Sequence, residues 1–203
     1  MKTATRHPDP KAAMIEAATT LFRRRGYEGV GVAELLSHSG APRGSLYFHF
    51  PGGKEQIAIE AVTRAGEAVR DGIRARSEIT TSVEHYIETA FAGWASNLEA
   101  SDYENGCIIA LVGLEAASAS PALKSAADKA FASWEIELAT MGVSKGLEAE
   151  NASRFATAFI CAVEGAIMMA RTRNDTAALV AAKDSMVFFV RGLLALQKTQ
   201  LQR

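Results

Sequence analysis

The chain contains 203 residues, of which 48% are hydrophobic and 22% are charged. This mixture is typical of a folded globular protein, and the length suffices for one medium domain or a small domain joined to a larger one. The formal net charge of −1 gives the whole chain no bias towards nucleic acid or anionic membranes. The composition therefore excludes global disorder and predicts a fold held together by packing.

Charge is divided unevenly along the chain. Residues 1–54 carry 8 basic and 4 acidic side chains, a net charge of +4, whereas residues 55–203 carry 14 basic and 19 acidic side chains, a net charge of −5. A basic segment followed by an acidic one indicates a polyanionic partner for one end only. An ordinary solvated surface would have the same composition, so sequence motifs must decide between the two.

Cysteine usage and hydropathy indicate the compartment. Cys107 and Cys161 are the only cysteines, and no secretory signal is found, so a reducing compartment is predicted rather than a disulfide framework. The longest uncharged apolar stretches, such as residues 155–163, have about half of the ~20 residues that a membrane helix needs. We therefore expect a cytoplasmic protein with no membrane partner.

The first fifty residues predict three helices. Asp9 followed by Pro10 predicts a helix start, and the helical spacing of apolar residues continues to Arg25, before Gly26. A helix of about two turns is predicted to end at Ser39-Gly40, and a third is expected between Pro42 and the 50–53 break. Residues 1–53 are therefore predicted to form one small helical domain.

The remaining residues, 54–203, predict a larger helical domain. A long helix is expected from residue 54 to about 77, and Thr81 with Glu84 predicts a capping box for the next. Further helices are predicted over residues 106–117, 120–142, 154–170 and 176–197. The last helix is apolar on all sides at residues 186–190, which predicts a homodimer through the last two helices. The whole chain is predicted to be all-α, with about nine helices.

Residues 30–50 have the pattern of a helix-turn-helix, with two short helices around a Ser-Gly turn. In the third helix, Arg43 suits a phosphate or a guanine edge, and Gly44 permits a close backbone approach. Ser45 and Tyr47 offer short hydrogen-bond donors. These features favour double-stranded DNA as the partner, although Tyr47 is also compatible with the core of a small bundle.

Three strings in this part of the chain resemble the TetR family of bacterial transcriptional repressors. They are A-x-x-L-F-x-x-x-G-Y from Ala18, G-x-P-x-G-S-L-Y-x-H-F from Gly40, and G-K-E from Gly53. Together they are far more specific than a general helix-turn-helix pattern. Further along, Asn105-Gly106-Cys107 and Leu114-Glu115-Ala116 resemble the LmrA/YxaF-like branch of that family.

The resemblance implies a dimeric repressor. Its two DNA-binding heads would occupy adjacent major grooves of a near-palindromic operator, and each body would bind a small-molecule inducer that releases the DNA. By likeness, the DNA contacts fall on Arg43, Gly44, Ser45, Tyr47, His49 and Lys54. Family members usually carry Thr or Ser where this chain has Val30-Gly31, so the resemblance leaves that hydroxyl cap and its phosphate contact in question.

Residues of the larger domain suit an inducer site, in which apolar and aromatic side chains surround a few polar groups. The candidates are Trp94, Tyr103, Cys107, Glu115, Trp134, Glu164 and Met168. Glu115 and Glu164 are the predicted polar handles, because each interrupts an apolar stretch and a buried carboxylate is costly without a partner. Aromatic residues and methionines at helical spacing are also typical of plain core packing.

Two other functions remain open from the sequence. Cys107 follows Gly106 at a predicted helix start, where free amides would stabilise a thiolate, so the alternative is a regulator that senses oxidants or electrophiles through Cys107. The competing interpretation of Cys107 is a small buried side chain, and Cys161 is predicted to lie in the core. A helical scaffold that binds only other proteins is the third hypothesis.

Sequence features of enzymes are not found. Gly53-Lys54 lacks the glycine, five places earlier, that a phosphate-binding loop requires. The four histidines show neither metal-ligand spacing nor a nucleophile partner. We therefore expect no catalytic activity, no cofactor and no metal site.

Overall fold

The computed structural model describes residues 9–116 and 119–200. Within these ranges it contains nine α-helices, one 3₁₀ turn and no strand, which confirms the predicted all-α class. The helices are α1 (Pro10–Arg25), α2 (Val32–Ser39), α3 (Leu46–His49), α4 (Gly53–Ile79), α5 (Val83–Ala100), α6 (Ile108–Ala116), α7 (Pro121–Ser144), α8 (Ala149–Arg173) and α9 (Ala177–Gln200). The predicted end of α6 at residue 117 lies outside the described residues.

Side-chain caps fix the starts of two helices. The Asp9 carboxylate accepts a hydrogen bond from the Lys11 N–H at 3.1 Å, as the sequence predicted for α1. The predicted capping box of α5 was wrong by one residue. Ser82, which has extended backbone angles, is the N-cap, and its hydroxyl accepts from the His85 N–H at 3.1 Å. Thr81 lies outside the helix, 3.4 Å from His85 Nδ1.

The chain folds into two compact units. Unit 1 comprises the described parts of Met1–Ala65 and Ile108–Asp128, and unit 2 those of Gly66–Cys107 and Lys129–Arg203. Packing therefore adds α6 and the first turns of α4 and α7 to the three N-terminal helices. The predicted boundary between residues 53 and 54 divides the chain by function and not by packing. It stays a prediction.

The core of unit 2 is an aromatic cluster shared by α5 and α8. The Phe159 ring lies 5.6–5.7 Å, between centroids, from the rings of Tyr86, Phe91 and Phe155. Such tilted and edge-on pairs are the favoured geometries of aromatic rings. All four rings are buried, and burial raises the pKa of the Tyr86 hydroxyl.

A buried amide fastens α9 within unit 2. The Gln197 side-chain oxygen accepts from the Glu148 N–H at 3.1 Å and from Asn151 Nδ2 at 2.9 Å, and its Nε2 donates to the Gly146 carbonyl at 3.1 Å. A buried polar side chain is tolerated when its hydrogen bonds are made. Gln197 therefore ties the end of α9 to the connection between α7 and α8.

The apolar face of α8 is buried, but Cys161 lies outside it. By length and composition alone α8 could cross a membrane, with a mean hydropathy of 1.4 over 18 residues, but its buried residues, such as Phe155 and Val163, face the core of unit 2. Cys161 was predicted to lie in the core and is exposed. It is two positions from Phe159, and two positions correspond to about 200° around a helix, so that prediction was wrong.

Unit 1 is built on the first helix. The apolar face of α1, including Met14, Ala18 and Phe22, is buried together with apolar residues of the helices that follow. An ion pair of 3.0 Å between Lys11 Nζ and Glu60 Oε2 also joins α1 to α4. Because these two side chains are partly exposed, their pair adds little to the stability that burial supplies.

The end of α1 depends on a glycine. Gly26 has φ 72° and ψ −177°, a region that is open almost only to glycine, and its N–H donates to the Phe22 carbonyl at 2.9 Å. The Glu115 carboxylate of α6 occupies the space of a side chain here: a Cβ added to Gly26 would lie 2.0 Å from Glu115 Oε1. Gly26 is required both by its backbone angles and by this close approach.

Replacing Gly26 therefore tests the junction of α1 and α6. We expect Gly26→Ala to lower the free energy of unfolding by about 1–3 kcal/mol, the usual cost of this backbone region for other residues. Equilibrium urea denaturation measures the change. Gly72→Ala is the matched control, because no described atom lies within 4 Å of that Cβ position in α4, and it should stabilise by about 0.5–1 kcal/mol. Equal effects of the two substitutions would contradict the assignment.

Candidate functional site

The predicted helix-turn-helix is present in unit 1. α2 ends at Gly40, whose φ of 64° and ψ of 7° are left-handed. Pro42 then precedes a 3₁₀ turn over Arg43–Ser45, which continues directly into α3. The left-handed glycine turns the chain sharply enough for the second helix of the motif to begin within six residues of the first.

Two buried anchors orient α3. Leu46 and Phe50 lie one helical turn apart and are both buried. Because they face the core, the residues between them are turned outwards: Tyr47 is 68% exposed and Phe48 is 82% exposed. The sequence analysis overlooked Phe48, although the i, i+4 spacing of Leu46 and Phe50 places it on the outer side of the helix.

The outward residues form a continuous polar and aromatic surface, here called the α3 face. It consists of Arg43, Gly44, Ser45, Tyr47, Phe48 and His49. Arg43 and Gly44 are exposed, and the Ser45 hydroxyl donates to the Pro42 carbonyl at 2.7 Å. The His49 ring is half-buried and meets the Phe48 ring edge-on, at 5.0 Å between centroids. The face combines a cation, hydrogen-bonding groups and an apolar ring, which are the groups that read base edges in a major groove.

Lys54 is held at the start of α4. Its Nζ lies 3.9 Å from the centroid of the Tyr27 ring, a cation–π contact. Burial lowers the pKa of Lys54, while the nearby carboxylates of Glu28 and Glu115 raise it. The free amides at the start of a helix also attract anions. The phosphate contact predicted for Lys54 and the first turn of α4 stays a prediction.

The second helix begins without a hydroxyl cap. Its N-cap residue is Gly31, with the extended angles φ −85° and ψ 154°, and no described side chain caps the helix. Val30, the preceding residue, is buried. The cap conformation is therefore kept although the side-chain bond is missing, because the buried Val30 holds the chain at this point.

The predicted inducer residues are divided between the two units. Six of the seven belong to unit 2 and Glu115 belongs to unit 1. Trp134 is buried and its Nε1 donates to the Gly66 carbonyl at 2.8 Å, whereas Trp94 and Tyr103 are half-buried. Met168 is 65% exposed, on the outer side of α8. The ligand role of this set stays a prediction, and a hydrogen bond joins two of its members.

These two members are Cys107 and Glu164. The Cys107 thiol is buried and donates a hydrogen bond to the Glu164 carboxylate. Burial raises the pKa of Glu164, and the thiol hydrogen bond lowers it by a smaller amount. Redox sensing through Cys107 stays a prediction. No group of three or more potential metal ligands occurs within residues 9–116 and 119–200.

Glu115 has a different environment from the one predicted for it. Its Oε2 accepts a hydrogen bond from the backbone N–H of Glu28 at 2.8 Å. The carboxylate has therefore found its partner in the connection between α1 and α2. The sequence predicted correctly that this carboxylate needs a partner, but not that a backbone amide of unit 1 supplies it.

Two family models match the chain. Residues 14–61 match the bacterial regulatory proteins of the tetR family, and residues 84–185 match the C-terminal domain of LmrA/YxaF-like transcriptional regulators. Both agree with the resemblance seen in the sequence. The second match begins within α5 and ends within α9, so it covers the whole segment from α6 to α8.

Individual proteins show the same similarity over nearly the whole chain. The uncharacterised HTH-type regulator YxaF of Bacillus subtilis is 31% identical over 92% of this chain and 98% of its own length. The HTH-type regulator LmrA of the same organism is 34% identical over 85% of this chain and 92% of its own length. A TetR regulator from Legionella pneumophila has a TM-score of 0.80 at 18% identity, over 93% of this chain and 100% of that one, which shows the shared fold.

The buried Glu164 carboxyl predicts a pH-dependent stability. Because burial raises its pKa in the folded state above the ordinary 4.5, the folded state holds this proton longer, and the free energy of unfolding falls as the pH rises above that value. Glu164→Gln should be more stable than wild type at pH 7 and lose less stability between pH 5 and 8. Urea titrations across this range measure both effects. Wild type and variant curves that stay parallel would contradict the assignment.

Proposed function

We propose that this chain, which belongs to the TetR family of bacterial transcriptional regulators and to its LmrA/YxaF-like branch, is a repressor that a small molecule releases from its operator. Regulators of this family bind operator DNA and act as dimers. The families and relatives that match are transcriptional regulators, not enzymes. A bacterial regulator works where the chromosome lies, so we place it in the cytoplasm.

The α3 face carries the proposal. A helix held by two buried anchors, with a cation and two exposed aromatic rings on its outer side, suits a major groove. Arg43 would reach a phosphate or a guanine edge, Tyr47 would donate to a phosphate or base, and Phe48 would contact a thymine methyl group. Gly44, Ser45 and His49 complete this surface, and Lys54 would bind the adjacent phosphate.

Exposed apolar side chains on α8 and α9 support the homodimer through these helices. They are Met168, Met169, Val180, Phe188, Phe189 and Leu196. Large apolar side chains on one pair of helices mark an interface. A two-fold symmetric pair would present two copies of the α3 face, and two half-sites related by the same symmetry make a near-palindromic operator.

The inducer site is proposed for unit 2, with Glu164 as its polar handle. Glu164 is a half-buried carboxyl whose pKa is raised by burial, and perturbed ionisable groups of this kind are typical of binding sites. A ligand bound there would lower the affinity for DNA if it binds more tightly to a state of the protein that does not bind the operator. The loss of DNA affinity cannot exceed that difference in ligand affinity.

A binding titration tests the proposed function. Duplexes selected from a random pool by the purified protein are titrated against a scrambled duplex at two salt concentrations, and then in the presence of small organic compounds. We expect selective binding that weakens with salt, because phosphate contacts release counterions, and release by at least one compound. Equally weak binding to both duplexes would contradict a repressor and favour the scaffold hypothesis.

Substitutions on the α3 face should weaken this selective binding. Arg43→Ala and Tyr47→Ala should each cost about 1–3 kcal/mol of operator binding, the range for contacts to bases and phosphates. Fluorescence anisotropy with the selected duplex measures the loss. Lys124→Ala, which removes an exposed cation of α7 in the same unit, is the control and should bind as wild type does. An equal loss in all three variants would contradict recognition by the α3 face, because Arg43 and Tyr47 would then contribute no more than a cation outside it.

A charged residue in the proposed interface should separate the subunits. Phe188 is 81% exposed in the single chain, so Phe188→Glu would bury a carboxylate against apolar surface in a dimer, which is costly. We expect a monomer in sedimentation velocity experiments at concentrations where wild type is dimeric. Ile136→Glu changes an exposed apolar residue of α7 and should remain dimeric. A dimeric Phe188→Glu protein would overturn this interface.

A further inference from the structure

We propose that Glu115 is a positioning residue for operator binding, which holds the connection between α1 and α2 so that Tyr27 and Lys54 are in place for a DNA phosphate. Glu115 lies in α6, outside the predicted DNA-binding domain, and 87 positions after the residue whose amide it binds. The inference rests on the proposed phosphate contact of Lys54. It gives α6 an indirect role in DNA recognition, through the connection between α1 and α2.

The Glu115 side chain contacts the connection between α1 and α2. Residues 26–31 lie between α1 and α2. Their backbone bonds are those of a turn: the Gly26 N–H donates to the Phe22 carbonyl at 2.9 Å, and the Val30 N–H donates to the Tyr27 carbonyl at 3.4 Å. The Glu115 carboxylate accepts from the Glu28 N–H at 2.8 Å and lies directly against Gly26. The missing side chain of Gly26 is what allows this approach. One carboxylate thus contacts both ends of the stretch 26–28, by a hydrogen bond at Glu28 and by close packing at Gly26.

The residue in the middle of that stretch is Tyr27. Its ring packs against Phe22 of α1, at 5.7 Å between centroids, and supports the Lys54 ammonium at 3.9 Å. Because Glu115 restrains the backbone on both sides of Tyr27, it also restrains the Tyr27 ring. The ring in turn restrains the Lys54 ammonium through the cation–π contact. Lys54 would meet a phosphate with part of its side-chain freedom already lost, and such pre-organisation lowers the cost of binding.

The same part of the chain also holds the residue after Lys54. Ser120, in the connection between α6 and α7, donates its hydroxyl hydrogen to the Glu55 carboxylate. Its oxygen accepts from the Leu123 N–H at 3.1 Å, which fixes the serine at the start of α7. The segment from α6 to α7 thus holds both sides of the phosphate site, through Tyr27 and through the first turn of α4.

Charge and position predict opposite effects of removing Glu115. A carboxylate near Lys54 opposes a phosphate electrostatically, so loss of its charge alone would tighten DNA binding. Loss of its hydrogen bond would free the connection and Tyr27, and would weaken DNA binding. Glu115→Gln removes the charge but keeps an acceptor oxygen, whereas Glu115→Ala removes both. The two variants therefore separate the two effects.

The test is a double-mutant cycle on the full-length protein with the duplex that wild type selects. We expect Glu115→Ala to weaken binding by about 3- to 10-fold and to lower the salt slope by about one, the loss of one phosphate contact. Glu115→Gln should bind at least as tightly as wild type. In a Lys54→Ala background, Glu115→Ala should add almost nothing, because the two residues act as a unit. Asp128→Ala removes an exposed carboxylate of the same unit and should change nothing.

A second measurement needs no DNA. The Glu28 amide should exchange its hydrogen slowly in wild type and in Glu115→Gln, and much faster in Glu115→Ala, while the circular dichroism of all three stays the same. An unchanged salt slope in Glu115→Ala, or an equal loss with and without Lys54, would overturn the positioning role while the proposed function stands. If wild type selects no duplex, the proposed function fails first, before any variant is compared.

Discussion

The DNA-binding unit depends on one constraint: α3 has four residues, and a helix of that length has no stability of its own. Burial of Leu46 and Phe50 must supply what helix propensity cannot. The segment is bounded by Gly40 and Gly53, with φ of 64° and 63°, which let the chain enter and leave within a few residues. Tyr47 and Phe48 are exposed because Leu46 and Phe50, on the other side of the helix, must be buried for the helix to form.

The same constraint explains why unit 1 needs more than its three N-terminal helices. The recognition segment can be only as rigid as the unit in which Leu46 and Phe50 are buried, and that unit includes α6 and the first turns of α4. The C-terminal family match, residues 84–185, includes α6 and the start of α7, which pack in unit 1. The division between families in the sequence and the division between packed units therefore follow different boundaries.

Local signals in the sequence predicted most of the fold. Asp9 starts α1, Gly26 ends it and Gly40 ends α2, because each acts through its own backbone or that of its neighbours. The predictions that were wrong are of two kinds. In one, two adjacent residues could each cap the same helix; in the other, the angular position of a residue around its helix decides whether it is buried. Thr81 and Ser82 are adjacent hydroxyls, and only the backbone angles select Ser82. Cys161 has an apolar side chain, but its angular position on α8 turns it outwards.

The candidate site was predictable in part for the same reason. The motif strings identified the α3 face apart from Phe48, which is exposed because it lies between two buried anchors. Glu115 shows where local reasoning ends. Its position in an apolar stretch indicated a carboxylate in need of a partner, but the partner is a backbone amide 87 positions away. Nothing in the local sequence encodes such a contact.

Chain connectivity gives α6 a particular place in the proposed induction. Its first residue, Ile108, follows Cys107, the partner of Glu164 in unit 2, and Glu115 lies in its last turn. A nine-residue helix is a rod of about 14 Å, so a shift at its first turn is carried to its last. A ligand that prefers one state of the Glu164–Cys107 pair need supply only about 1–3 kcal/mol of preference to change DNA affinity substantially. The Glu115 contact is one place where that free energy would reach the residues beside Lys54, because its carboxylate binds the Glu28 amide, next to Tyr27.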